Sequence, residues 1–65
     1  MRINGIFYKK TNKVMVHDRD FTNLFTKDEI KMFKQRCNKE SLMIDIILQE
    51  DENGLYMEAF GIKKG

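Results

Sequence analysis

The sequence predicts a small α+β domain in which one amphipathic helix packs against an antiparallel sheet of two hairpins, in the order ββαββ. Three observations favour this fold. The chain has 65 residues, which suffices for a single domain spanning residues 1–65. Hydrophobic residues make up 42% of it and recur with strand or helix periodicity, as is typical of folded chains. A helix capping box and an Asn-Gly turn mark the element boundaries.

Two apolar segments separated by a polar turn predict the first hairpin. Residues 3–9 are rich in β-branched and aromatic side chains, and residues 14–17 supply the returning strand. Asn12 lies in the turn between them and is suited to a left-handed backbone conformation. Gly5 indicates a bulge or a close backbone approach within the first strand.

The helix start is the clearest local signal. Residues 18–20 are charged and predict a loop, and the apolar spacing of residues 21–25 predicts a short helical turn. Thr26 and Glu29 then form the T-x-x-E pattern of a capping box, in which each side chain satisfies a backbone N–H of the other residue. The helix is therefore expected to begin directly after Thr26.

One stripe of the helix is apolar and predicts its core-facing side. Ile30, Phe33 and Cys37 follow each other at offsets of three and four residues. We expect Cys37 to be a buried structural thiol, because reactive thiols need an exposed, electropositive setting. The helix is expected to end near Asn38 or Lys39.

The second hairpin allows two registers. Residues 42–49 and 55–62 read as strands around an Asn-Gly turn, and even-numbered residues 42–48 form a wholly apolar face. With a loop of two or four residues, that face is joined by Leu55, Met57, Ala59 and Gly61. The opposite face then collects Met43, Ile47, Tyr56, Phe60 and Ile62. With a loop of three residues, the aromatic side chains join the apolar face instead, because a slip of one residue exchanges the faces.

The leading functional prediction is a non-enzymatic protein-interaction module. One helix cannot cover both faces of a sheet, so we expect an exposed apolar face through which the chain self-associates or binds a partner protein. The predicted anchors on that face, under the favoured register, are Ile47, Tyr56, Phe60 and Ile62.

Charge is unevenly distributed along the chain. Residues 1–39 hold ten Lys and Arg against four Asp and Glu, a net of +6, whereas residues 40–65 hold two against six, a net of −4. Such asymmetry can steer a partner or align two copies head to tail. We expect instead that folding brings the halves together and cancels most of it.

The alternative prediction is a nucleic-acid-binding module. Single-strand binders combine cations with aromatic side chains, a composition present in the first hairpin and the termini. The candidate residues are Tyr8, Lys9, Lys10 and Lys13, joined by Arg2, Lys63 and Lys64 if the first and last strands are neighbours.

The sequence lacks the residues that catalysis, metal binding and membrane insertion would need. His17 is the only histidine and Cys37 the only cysteine, so we predict neither a catalytic site nor a metal site, and no cofactor or small-molecule substrate. No apolar run is long enough to span a bilayer. A single thiol without an export signal predicts a cytoplasmic protein. The absence of Pro and Trp and the abundance of Lys, Asn and Ile suggest a phage or low-GC bacterial genome.

Overall fold

The computed structural model describes residues 1–63 and confirms the α+β fold, with one antiparallel sheet and a helix packed on it. Its strands are β1 (Arg2–Tyr8), β2 (Lys13–Val16), β3 (Arg19–Asp20), β4 (Ser41–Asp51) and β5 (Gly54–Ile62), and its helix is α1 (Lys27–Arg36). The spatial order of the strands is β3-β2-β1-β4-β5, so β1 and β4 form the centre.

The first hairpin forms as predicted. Ile6 lies opposite Met15 and Tyr8 opposite Lys13, and Asn12 in the turn has the expected left-handed backbone, with φ of 55°. Gly5 marks a close approach, because a Cβ atom at this position would lie 3.0 Å from the Cδ1 atom of Ile46.

The expectation of a plain loop at residues 18–20 is wrong. His17 and Asp18 form a tight turn, and the chain returns as the two-residue strand β3 beside β2. His17 permits the turn by taking a left-handed backbone, with φ of 47°. The Asp20 carboxylate then accepts hydrogen bonds from the backbone N–H and the hydroxyl of Thr22. Thr22 is the first residue of the predicted short helical turn, which spans Thr22–Leu24.

The capping box is confirmed in both directions. The Glu29 backbone N–H donates to Thr26 Oγ1 at 3.2 Å, and the Thr26 backbone N–H donates to Glu29 Oε1 at 2.7 Å. The helix ends at Arg36, two residues before the predicted range. Cys37 leaves the helix with extended backbone, and its buried Sγ donates to the Lys39 carbonyl at 3.1 Å.

Phenylalanine side chains join the helix to the sheet. The Phe33 ring lies 5.2 Å from the Phe25 ring, 5.4 Å from the Phe60 ring and 5.8 Å from the Phe7 ring, measured between centroids. Phe7 and Phe33 are fully buried, and the tilted and edge-to-face geometry is the arrangement that aromatic pairs prefer. This cluster fixes α1 on one side of the sheet, which we call the inner face.

The second hairpin combines the two predicted registers. Near the turn, Gln49 lies opposite Tyr56 and Leu48 opposite Met57. A register shift between Ile47 and Leu48 then leaves Glu58 as an extra residue, and from there Ile46 lies opposite Phe60.

Because of the bulge, the side chains of two predicted anchors point to the inner face of the sheet. Beyond it, Phe60 and Ile62 share the inner face with Ile46 and Ile44, so their placement on the opposite face is wrong. Tyr56 lies before the bulge and keeps the predicted orientation, since a one-residue insertion exchanges faces only past its own position.

The pairing of β1 with β4 brings the basic and acidic halves side by side, with one direct ion pair between them. Among residues 1–63, Arg2 and Asp45 are the only ion-paired residues that join the basic and acidic halves. The second ion pair, Lys13 with Asp20, lies within the basic half. Residues 40–62 contain six acidic residues and no Lys or Arg, so the β4–β5 hairpin remains an acidic element.

We predict that Gly5→Ala destabilises the protein whereas Gly61→Ala does not. The added methyl group at Gly5 would meet Ile46, Val16 and Val14 within 3.0–3.3 Å, and this overpacking should cost about 1–2 kcal/mol after the gain from lost glycine flexibility. A Cβ atom at Gly61 meets nothing within 4 Å. Chemical denaturation of both variants measures the difference, and equal stability of the two would contradict the close packing at Gly5.

Candidate interaction surface on the outer face of the sheet

The helix leaves the opposite side of the sheet uncovered, and we call this side the outer face. Strand alternation places Arg2, Asn4, Ile6 and Tyr8 of β1 on it, because Ile3, Gly5 and Phe7 point inward. The outer face is therefore the surface on which side chains of all five strands can meet a partner.

An apolar row crosses the middle of the outer face. Met15 of β2, Ile6 of β1 and Met43 of β4 lie directly opposite one another on three adjacent strands. Met43 is exposed, and Ile6 and Met15 are partly buried by their neighbours. Such a row on a solvent-facing surface is the kind of apolar patch that marks an interface.

A second apolar group lies toward the β4–β5 turn. Ile47 of β4 lies opposite Ala59, and Tyr56 follows on the same face, where its side chain is 45% exposed. Ile47 and Tyr56 are thus the two predicted anchors that the structure places on the outer face.

Arg2 and Asp45 separate the two apolar groups. Arg2 Nε donates to both carboxylate oxygens of Asp45, at 3.0 and 2.8 Å, and Arg2 Nη2 also donates to Asp45 Oδ2. The Asp45 side chain is 14% exposed while that of Arg2 is 71% exposed, so the guanidinium is the part available to a partner.

This ion pair changes the acidity of both groups. The hydrogen bonds and the charge of Arg2 hold the pKa of Asp45 below its ordinary value, and the same contacts raise the pKa of Arg2. A carboxylate with a lowered pKa in the folded state stabilises the fold above its ordinary pKa, and this contribution is lost as the pH falls through the folded-state value.

Sequence reasoning missed Ile6 and Met15 as members of this surface. Both lie on the outer face of the first hairpin, in register with Met43. Strand alternation contained the signal, because Ile6 is flanked by inward-facing Gly5 and Phe7. The missing information was that β1 pairs with β4, which brings the apolar residues of the two hairpins into one row.

The nucleic-acid candidates gather at one end of the sheet. Tyr8 is 41% exposed on the outer face, opposite Lys13, and Lys9 and Lys10 follow in the exposed turn. Lys13 Nζ lies 3.9 Å from Asp20 Oδ2, which partly neutralises it. Arg2 lies at the other end of β1, and β1 neighbours β4 rather than β5, so the condition for both termini to converge on the first turn is not met. Lys63 does lie toward the Tyr8 end of the sheet, where its backbone N–H donates to the Met43 carbonyl at 3.0 Å.

The remaining residues that the sequence singled out lie away from the outer face or outside the described residues. Cys37 is buried, which confirms the predicted inward orientation, and His17 is exposed in the turn between β2 and β3. Lys64 lies outside the described residues. In the described part of the chain no three His, Cys, Asp or Glu residues are grouped to hold a metal ion. No helix within residues 1–63 has the length and apolar character needed to cross a membrane.

Comparison of the chain with protein-family models, with curated proteins and with solved structures finds no match.

We predict that the Arg2–Asp45 pair contributes to the loss of stability in acid. The free energy of unfolding should fall between about pH 5 and pH 2, and it should fall less steeply in Asp45→Asn, which has no carboxylate to protonate. Arg2→Gln should reduce the pH dependence of the free energy of unfolding in the same way. Urea denaturation across this range tests the pair, and the double variant should add nothing further. An Asp45→Asn curve parallel to that of the unmodified protein would show that the pair is not formed in solution.

Proposed function

We propose that this chain is a non-enzymatic protein-interaction module that binds another polypeptide through the outer face, with a second copy as its simplest partner. The observation that carries the proposal is the apolar row of Met15, Ile6 and Met43 on the side of the sheet that α1 does not cover. A polar outer face would be the expected design for a sheet that only had to fold.

The chemistry of the outer face favours a protein partner. Interface cores are enriched in aromatic residues, methionine and arginine, and the outer face offers Tyr56, Met15, Met43 and Arg2. Methionine adapts its shape to a partner, and burial of apolar surface contributes about 25 cal/mol per Å². The exposed guanidinium of Arg2 adds a directional hydrogen-bond donor at the centre of the surface.

A second copy fits this surface by symmetry. Two outer faces can meet about a two-fold axis, so that each apolar row covers the other and the helices stay on the outside. The reducing cytoplasm suits a chain whose single thiol is buried, and we propose that the interaction takes place there.

We predict that Met15→Lys weakens association through the outer face by tenfold or more. The ammonium group would have to lose its water on binding, while the fold should tolerate it because Asp20 lies directly opposite on β3. Light scattering over a range of concentrations measures the effect, at a salt concentration high enough to screen surface charges. The unmodified chain should exceed its monomer mass of 7.8 kDa, and the variant should return toward it.

The control is Gln35→Lys, which adds the same charge at an exposed position of α1, on the other side of the molecule. It should associate like the unmodified chain. Equal masses for Met15→Lys and the unmodified chain would count against the outer face as the binding surface. A chain that is monomeric at every concentration would remove self-association from the proposal.

Nucleic-acid binding is the second candidate, favoured by the exposed Tyr8 beside Lys9, Lys10 and Lys13. An aromatic ring on a sheet face with adjacent cations can stack a base while the cations bind the phosphates.

Tyr8→Ala and Tyr56→Ala form a matched pair for this candidate. Both tyrosines are exposed on the outer face to a similar degree, 41% and 45%, but only Tyr8 lies near the lysines. Binding of a fluorescent single-stranded oligonucleotide should weaken about fivefold or more in Tyr8→Ala only, and should fall steeply with salt. Undetectable binding at low salt, or equal losses in both variants, would rule this candidate out.

A further inference from the structure

The tip of the β4–β5 hairpin concentrates negative charge. Glu50, Asp51 and Glu52 lie at this tip, which extends beyond the point where β1 stops pairing with β4. Within residues 1–63 none of these carboxylates forms an ion pair. Leu55 adds an apolar side chain that is 61% exposed. We call residues 50–55 the acidic tip.

The opposite end of the same hairpin borders a cleft of the opposite charge. The cleft has a volume of about 670 Å³ and is lined by Arg36, Lys39 and Lys63, with Leu42, Ile62 and the outer-face residue Met43 contributing apolar surface. Its lining includes no carboxylate, and in the described part of the chain none of the three cations forms an ion pair. We call this site the basic cleft.

The acidic tip cannot fill the basic cleft of its own chain. Ile62 pairs with Ile44 at the cleft, and Gly54 pairs with Asp51 at the tip. Asp51 lies seven residue steps beyond Ile44, which corresponds to about 24 Å along β4. The two sites therefore face away from each other at opposite ends of the hairpin.

We propose that the acidic tip of one copy docks into the basic cleft of a second copy. Charge complementarity identifies the occupant, because the tip presents three carboxylates where the cleft presents three cations. Leu55 matches the apolar part of the cleft formed by Leu42 and Ile62. The chain thus contains both halves of one interface.

This contact differs from the one on the outer face in symmetry and in its physical basis. A tip-to-cleft contact is heterologous, so it joins copies head to tail into chains or rings instead of closing after two copies. Ion pairs at an exposed site are screened by salt, whereas apolar contacts between outer faces are not. Salt concentration therefore separates the two modes of association.

Charge reversal of each half tests the contact. One variant carries Lys39→Glu with Lys63→Glu in the basic cleft, and the other carries Glu50→Lys with Glu52→Lys in the acidic tip. All four positions are exposed, so both variants should fold. Each variant alone should associate at least tenfold more weakly than the unmodified chain at low salt, because tip and cleft then carry like charge.

An equimolar mixture of the two variants should associate again, because each tip then meets a cleft of opposite charge. Sedimentation velocity at low and high salt measures this, and association should disappear at high salt. Lys27→Glu with Lys31→Glu on α1 is the control, since it makes the same change in net charge at other exposed positions and should leave association unchanged.

Three results would overturn the proposal. The first is association of either variant alone at the strength of the unmodified chain, and the second is a mixture that stays monomeric. The third is an unmodified chain that is monomeric at low salt and binds a single-stranded oligonucleotide through Lys39 and Lys63, which would assign the cleft to nucleic acid. Tip-to-cleft association should persist in Met15→Lys at low salt, so failure of one contact is distinguishable from failure of the other.

Discussion

The contact of Phe33 with the sheet is the interaction on which the rest of the structure depends. The chain has 65 residues and a single cysteine, so no internal disulfide can form. Its stability therefore depends on one small core. Phe33 lies at the centre of that core, where its ring packs against three other phenylalanine rings. These belong to Phe7, Phe25 and Phe60, which come from three different parts of the chain. Because α1, the only α-helix within residues 1–63, packs on the inner face, no α-helix in that part of the chain covers the outer face.

The bulge at Glu58 decides which residues remain on the uncovered side. It lets Phe60 join the aromatic core while Tyr56, four residues earlier, stays on the outer face. Without the extra residue, Tyr56 and Phe60 would point to the same face of the sheet. Either Phe60 would leave the core or Tyr56 would leave the outer face. The bulge therefore links the stability of the domain to the composition of its proposed binding surface.

Local signals predicted the elements well, and long-range pairing accounts for what they missed. The capping box of Thr26 and Glu29 and the left-handed Asn12 depend on near neighbours, and both are confirmed. The bulge was not predicted, because Glu58 is an ordinary strand residue and no glycine or other local signal marks its position. Ile6 and Met15 were missed because their place in the apolar row follows from the pairing of β1 with β4, which no local pattern encodes.

Accessibility of the methionine methyl groups tests most directly whether the outer face is bare in one copy and covered on association. Met15 and Met43 lie on the outer face, whereas Met32 and Met57 pack against the core. In methyl-labelled protein with a soluble paramagnetic probe, Met43, whose side chain is 47% exposed, should broaden more than the partly buried Met32 and Met57 at low concentration. At high concentration, and at a salt concentration that screens the tip-to-cleft contact, the broadening of Met43 should fall toward that of Met32 and Met57. Broadening of all four that is independent of concentration would contradict the account.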